Sequence, residues 1–247
     1  MDLRVTGGGR GEPLLLLLHG LGATGDVWSG WAPLLAERWP GRWLAPDLPG
    51  HGGSAPLPEY TFDALAGAVR PLVENGRTVV LGHSLGGVVA LALAARPGVV
   101  AVVGLGIKVG WTGDELERAR ALAGRPVQWF GTREEAVARH LRVSGLAGLV
   151  APDDAAVRSG VREEDGRWRT ALDPRAFGVG APDMAGLLAR SAAPVTLARG
   201  EHDPMSTDDQ IRALGVEPVP LPGLGHNAHV ESPAVCYPLI SSRQASH

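Results

Sequence analysis

Cysteine and lysine each occur once in these 247 residues, as Cys236 and Lys108. A lone thiol excludes an intrachain disulfide and fits a reducing compartment. The formal net charge is only -3, so the chain lacks the electrostatic footprint of a nucleic-acid or anionic-membrane binder. Long apolar runs are missing too: the stretch from Val79 to Ile107 is broken by His83, Ser84, Arg96 and Pro97, against the ~20 apolar residues a membrane helix needs. No secretory leader is expected, because the start is acidic at Asp2 and the leucine run follows Glu12-Pro13 rather than a basic segment. These absences point to a cytoplasmic chain with no nucleic-acid or membrane partner. They leave the oligomeric state open. Internal repeats and low-complexity linkers are lacking. The single lysine against 22 arginines matches a GC-rich bacterial genome.

What is present begins with Gly82-His83-Ser84-Leu85-Gly86. This G-x-S-x-G pentapeptide follows the strand-like run Thr78 to Leu81 and precedes Gly87 to Ala95, an apolar, helix-compatible stretch. Strand, glycine-flanked turn and helix is the setting in which a serine becomes a nucleophile. The glycines leave room for a sharp, strained turn, and the helix N-terminus offers N–H groups to an anion.

A hydroxyl needs a base and the base an orienting acid, in the chain order Ser, acid, His. Pro194 to Ala198 reads as a buried strand running into Arg199-Gly200-Glu201-His202-Asp203-Pro204, which makes Asp203 the candidate acid. The competing reading makes Asp203 a helix N-cap and gives the acid's role to Glu201, Asp208 or Asp209. Glu217 to Leu221 is a short extended segment leading to Pro222-Gly223-Leu224-Gly225-His226. His226 is the candidate base, and His229 its rival. Early in the chain Leu14 to Leu18 suits a buried strand and ends in His19-Gly20-Leu21-Gly22. An H-G-x-G turn there would aim the Leu21 N–H at an oxyanion, with Leu85 supplying the second.

Together these motifs resemble the α/β-hydrolase family, and the resemblance runs nearly end to end. Asp47-Leu48-Pro49-Gly50-His51-Gly52-Gly53-Ser54 is similar to the loop after that family's fourth strand, and Gly225 to Pro233 to its histidine loop. The resemblance implies an α/β-hydrolase fold: a mostly parallel sheet covered by helices on both faces, with an inserted helical lid. It implies catalytic Ser84, Asp203 and His226, an oxyanion hole at Leu21 and Leu85, and no cofactor. Serine stands where dehalogenases and epoxide hydrolases carry aspartate. Some members place the acid after the strand that ends here at Ile107, but Lys108 follows and no carboxylate comes before Asp114. The family's histidine follows the glycine directly, which favours His226. The implied activity is cleavage of an ester, lactone or thioester of a small-to-medium small-molecule substrate through an acyl-enzyme. Carbon–carbon hydrolases, perhydrolases and cofactor-free lyases such as the menaquinone-pathway synthase share these motifs. A binding module with a vestigial triad is the reading from another class.

Alternating apolar strands and helical stretches argue for a parallel sheet covered on both faces. Helices are expected near 26–39, 61–75 and after the elbow, and a hairpin turn at Gly7-Gly8-Gly9-Arg10-Gly11. From residue 110 to 187 the pattern changes to a helical lid of balanced charge inserted between core segments 1–109 and 188–247. Thr132-Arg133-Glu134-Glu135 is a capping-box signature within it. Pocket walls are sought among Trp111, Trp129 and Met184, along with Trp28, Trp31, Phe130 and Phe177. Lys108, at a strand end, is a candidate for meeting a substrate carboxylate or carbonyl.

Two decoys compete. Gly20-x-Gly22-x-x-Gly25 with Asp47 downstream matches a dinucleotide fingerprint by pattern, yet it leaves Ser84, Asp203 and His226 unexplained. The H-x-x-H spacing of His226 and His229 lacks the glutamate and helix of a zinc site, so no metal is expected. His19, His51 and His83, each beside a glycine, are expected to bond backbone, and Asp47 to hold its turn.

Overall fold

The computed structural model describes residues 2–73 and 77–241. Its strands are β1 (Val5–Gly9), β2 (Leu14–Leu18), β3 (Arg42–Pro46), β4 (Thr78–His83), β5 (Val99–Leu105), β6 (Val161–Glu164), β7 (Arg167–Thr170), β8 (Val195–Gly200) and β9 (Val219–Leu221). Seven of them form one sheet in the order β1-β3-β2-β4-β5-β8-β9. Only β1 pairs antiparallel, with β3; the remaining pairs are parallel. This is the mostly parallel α/β-hydrolase sheet that the motifs imply.

The leucine run shows why the sheet is buried on both sides. Successive strand residues point to opposite faces, and Leu16 and Leu18 join one core while Leu15 and Leu17 join the other. All five leucines are almost fully buried. The first core packs against helices Phe62–Val69 and Leu85–Leu93, the second against the 3₁₀ segment Gly25–Trp31 and the chain's last turns near Cys236 to Ile240. Burying each such side chain contributes ~1.5–3 kcal/mol.

Local departures have local causes. Gly7, Gly8 and Gly9 are strand residues opposite Leu44, Trp43 and Arg42, not a hairpin turn. A Cβ would lie 2.5 Å from the Trp43 carbonyl oxygen at Gly7, 2.9 Å from Trp43 Nε1 at Gly8, and 2.4 Å from Gly41 O at Gly9. The expected helix 26–39 divides into the 3₁₀ segment and α-helix Ala32–Arg38, with Pro33 in the first turn. The helix expected to run toward Asn75 is α-helical over Phe62–Val69, capped by the Thr61 side chain, then 3₁₀ over Arg70–Leu72. Residues 74–76 lie outside the described ones.

Between β5 and β8 the chain leaves the sheet. Helices Gly113–Ala123 and Arg133–Val143 start with capping boxes, Thr112 with Glu115 and Thr132 with Glu135. The segment is not wholly helical, because β6 and β7 form an antiparallel hairpin. Its turn is Asp165-Gly166, both at positive φ (50° and 73°), the Asp-Gly pair that a type I′ turn favours.

Candidate active site

The elbow is built from backbone. Ser84 links β4 to helix Leu85–Leu93 with φ 50° and ψ -114°, a strained conformation for a residue with a Cβ that costs on the order of 1–3 kcal/mol. Its N–H donates to Leu105 O at 2.8 Å, and its carbonyl accepts from the Gly87 and Val88 N–H groups. The flanking glycines permit the turn: a Cβ at Gly82 would fall 2.1 Å from Gly86 O, and one at Gly86 2.4 Å from Leu18 O.

On the neighbouring strand ends an acid meets a base. Buried Asp203 follows β8, and its carboxylate oxygens lie 3.0 and 3.1 Å from His226 Nδ1. The carboxylate also accepts the Met205 N–H at 2.9 Å, while Arg199 donates to Asp203 O at 3.0 Å. Gly106 (φ 62°) lets the pair close, since a Cβ there would lie 3.1 Å from Asp203 Oδ2 and 3.3 Å from His226 Nδ1. The rival acids are engaged elsewhere: Asp208 with Arg199, Asp209 with Arg212, and Glu201 with the Gly223 N–H. Thr207, not Asp203, caps the following helix.

His229 is buried, its ring 4.5 Å from Trp28 and 4.2 Å from His83. Burial pushes its pKa down to about 3, so this ring packs as a neutral side chain. His83 donates from Nε2 to His226 O at 2.9 Å, and burial holds its pKa well below the usual imidazole range. It therefore ties the elbow to the histidine loop, a role no local spacing could reveal across 143 positions. Between Ser84 Oγ and the His226 ring there is no hydrogen bond among the described residues; the ring's bonds go to Asp203.

Leu21 and Leu85 line the same cavity as Ser84. Neither backbone N–H donates to an acceptor among the described residues. His19 fixes the first loop: Nδ1 donates to Gly20 O at 2.8 Å and Nε2 accepts the Leu48 N–H at 2.8 Å. Burial lowers its pKa to about 4, which keeps the acceptor nitrogen free of a proton. His51 likewise bonds Pro49 O. Asp47 holds three chain segments, accepting from the Gly25 and Gly53 N–H groups at 2.7 and 2.9 Å and facing Arg4 at 3.2 Å. That occupation leaves it no lone pair directed at a ribose, and the dinucleotide pattern is structural.

The cavity in front of Ser84 measures about 360 Å³. Its walls are largely apolar, with Phe62, Val88, Trp111, Leu122 and Phe177, and its charged lining residues are Lys108, Glu115 and Arg118. Lys108 Nζ pairs with Glu115 Oε1 at 2.9 Å and lies 5.3 Å from the Trp111 ring centre. The Thr112 backbone N–H and Lys108 hold the Glu115 carboxyl down at about 2, so the lysine already has its counter-ion. Trp111 and Phe177 line the cavity as expected, and the five other expected wall residues lie elsewhere. Met184, the first residue of a helix capped by Asp183, turns into the core and is 3% exposed. Trp129 lies beneath the guanidinium groups of Arg167 and Arg169, at 4.8 and 5.7 Å. Trp28 and Trp31 are core, and Phe130 pairs its backbone with Trp168. Glu115, Arg118 and Leu122 went unread as a cavity face, although the Thr112 box and their three- and four-residue spacing on one helix carry that signal. Among the described residues no group of three His, Cys, Asp or Glu side chains could hold a metal ion, and no helix is long and apolar enough to cross a membrane.

Comparison with known proteins agrees with this architecture. A sequence model of the Alpha/beta hydrolase family matches residues 15–239. The chain is 32% identical over 229 residues to the pimeloyl-[acyl-carrier protein] methyl ester esterase of Methylococcus capsulatus, covering 87% of this chain and 86% of that one. It is 31% identical over 238 residues to the 2-succinyl-6-hydroxy-2,4-cyclohexadiene-1-carboxylate synthase of Salmonella paratyphi C, covering 91% and 90%. Among solved structures, E-2-(acetamidomethylene)succinate hydrolase superposes with a TM-score of 0.81 at 22% identity, over 99% of this chain and 96% of that one.

Proposed function

We propose that this chain, which belongs to the alpha/beta hydrolase family, is a serine hydrolase cleaving a carboxylic ester, lactone or thioester of a small-to-medium substrate. The observation that carries the reading is a juxtaposition. A strained Ser84 and two N–H groups without acceptors, on Leu21 and Leu85, share one apolar cavity, and an Asp203–His226 pair stands on the adjoining strand ends.

The roles follow from the chemistry of each group. His226 Nε2 takes the proton as Ser84 Oγ attacks the carbonyl carbon, and Asp203 holds Nδ1–H and steadies the imidazolium. The Leu21 and Leu85 N–H groups stabilise the developing oxyanion, each worth roughly 2.7–4 kcal/mol. Collapse expels the alcohol or thiol, which His226 protonates, and leaves an acyl-Ser84 ester. Water, deprotonated by His226, then releases the acid and restores the serine. No step calls for a cofactor. Segment 110–187 acts as the lid that closes the cavity over Ser84 and sets the substrate's size.

The similarity to a synthase over 91% of this chain supports a second reading, in which the same groups run carbon–carbon cleavage or elimination. Hydrolysis of p-nitrophenyl esters of graded acyl length separates the two. The ester reading expects turnover of short and medium chains that disappears in Ser84→Ala. A reactive serine without ester turnover would favour the second reading.

A further inference from the structure

Beside the active-site cavity lies a smaller one of about 80 Å³, and the two share Leu122 and Phe177 as walls. Arg125, Gln128, Arg139 and Thr170 line it, and no acidic residue does. Arg125 follows the end of helix Gly113–Ala123, whereas Arg139 projects from helix Arg133–Val143. Two separate elements thus contribute one arginine each to the lining of the same concavity. Neither guanidinium has an ion-pair or hydrogen-bond partner among the described residues, and the Gln128 amide and Thr170 hydroxyl are equally unengaged.

Unpaired arginines are ordinary on a convex, solvated face. Two lining one small cavity with no acidic residue is different, because like charges favour an anion between them. Elsewhere in this segment arginines face carboxylates: Arg162 and Arg169 meet Glu164, and Arg175 meets Asp173. A guanidinium presents a planar fork of donors that matches carboxylate and phosphate oxygens. The volume leaves room for one such group. Arg118 lines the active-site cavity, and among the described residues its Nε donates to the Asp114 carbonyl.

We propose that this second cavity is an anion subsite for a carboxylate or phosphate at the far end of the substrate's acyl chain. The chain itself would lie along Leu122 and Phe177, with its carbonyl at Ser84. The occupant's identity rests on the serine hydrolase reading above; the presence of an anion site does not.

The test separates the two. Arg125 is exposed and Arg139 half-buried, so Arg125→Gln/Arg139→Gln is a surface substitution expected to fold. The first arm is titration of inorganic phosphate into Ser84→Ala by calorimetry, with and without the two arginine changes. It expects saturable binding that weakens about tenfold in the arginine variant, the scale of a lost charge-assisted hydrogen bond. The second arm is the ratio of kcat/KM for the mono-p-nitrophenyl ester of adipic acid over p-nitrophenyl hexanoate. That ratio is expected to fall about tenfold in the double variant. Phosphate binding equal in both proteins would overturn the subsite. Arginine-dependent phosphate binding with an unmoved ester ratio would place a free anion there and overturn the assignment to the substrate. If neither ester turns over, the serine hydrolase reading fails while the calorimetric arm still decides the anion site.

Discussion

Strand β4 is buried at every residue up to Ser84, whereas helix Gly113–Ala123, which lines the same cavity, has no buried residue at all. The two sides of the cavity are made differently. On the sheet side, backbone does the positioning: glycines admit carbonyls to distances no Cβ would allow, and buried neutral histidines bridge loops. On the other side, capping boxes start short helices whose charged side chains reach the cavity from solvent. Chemistry needing sub-ångström placement belongs on the first side. Selection among substrates, which tolerates looser contacts, suits the second.

Variants can strain this contrast from either side. The largest effect is expected from Asp203→Asn, which keeps the side chain's shape but leaves His226 in the wrong tautomer. On the proposed mechanism kcat falls by roughly 10⁴-fold, measured on a short p-nitrophenyl ester with the melting temperature as a check on folding. A loss below tenfold would mean that another acid serves His226.

Acid pH should weaken the sheet side through its histidines. Burial lowers His19 to about 4 and His51 and His229 to about 3, against ~6.5 in the unfolded chain. The unfolded state therefore binds more protons between those values, and stability rises with pH. The stabilisation is complete above pH ~6.5 and is lost as pH falls toward 4, by about 1.4 kcal/mol per pH unit for each histidine. Urea melts at pH 7, 6 and 5 should show this slope, and His229→Phe should reduce it by one proton's worth. An unchanged slope in that variant would contradict the neutral, buried assignment.

Glycine replacement sharpens the comparison directly. Gly82→Ala drives a Cβ against Gly86 O, whereas Gly113→Ala meets nothing within 4 Å at the start of its helix. The first should cost about 1–3 kcal/mol; the second should be neutral or stabilise by up to ~1 kcal/mol. Chemical denaturation of both variants checks the pair. The smallest effect is expected from Lys108→Met. With its charge already met by Glu115 in a partly exposed pair, its removal should change KM for neutral esters by less than about threefold.

The parts of this molecule legible from sequence are those in which neighbours along the chain act together. Leu14 to Leu18 announces a buried strand, and Gly82 to Gly86 a turn between strand and helix, because each motif contains its own cause. Asp165-Gly166 carried an equally local hairpin signal inside a segment read as helical. Met184 and Trp129 were illegible in another way: both sequence positions allow a cavity wall, and only packing against the sheet or the β6–β7 hairpin decides their direction. The same holds for the His83 bond to His226 O, which distant segments bring together, and for Arg125 with Arg139, which line one cavity from successive elements. Gly7 to Gly9 are strand because they pair with β3, a distant segment whose Trp43, with the Gly41 carbonyl before it, leaves no room for a Cβ.

The central claim is that Ser84 is an activated nucleophile. Intact-mass analysis after incubation with a fluorophosphonate tests it most directly, on the wild type and on Ser84→Ala. The account predicts a single covalent adduct on the wild-type chain and none on the variant. An unmodified wild type, or an adduct that persists in Ser84→Ala, would contradict it.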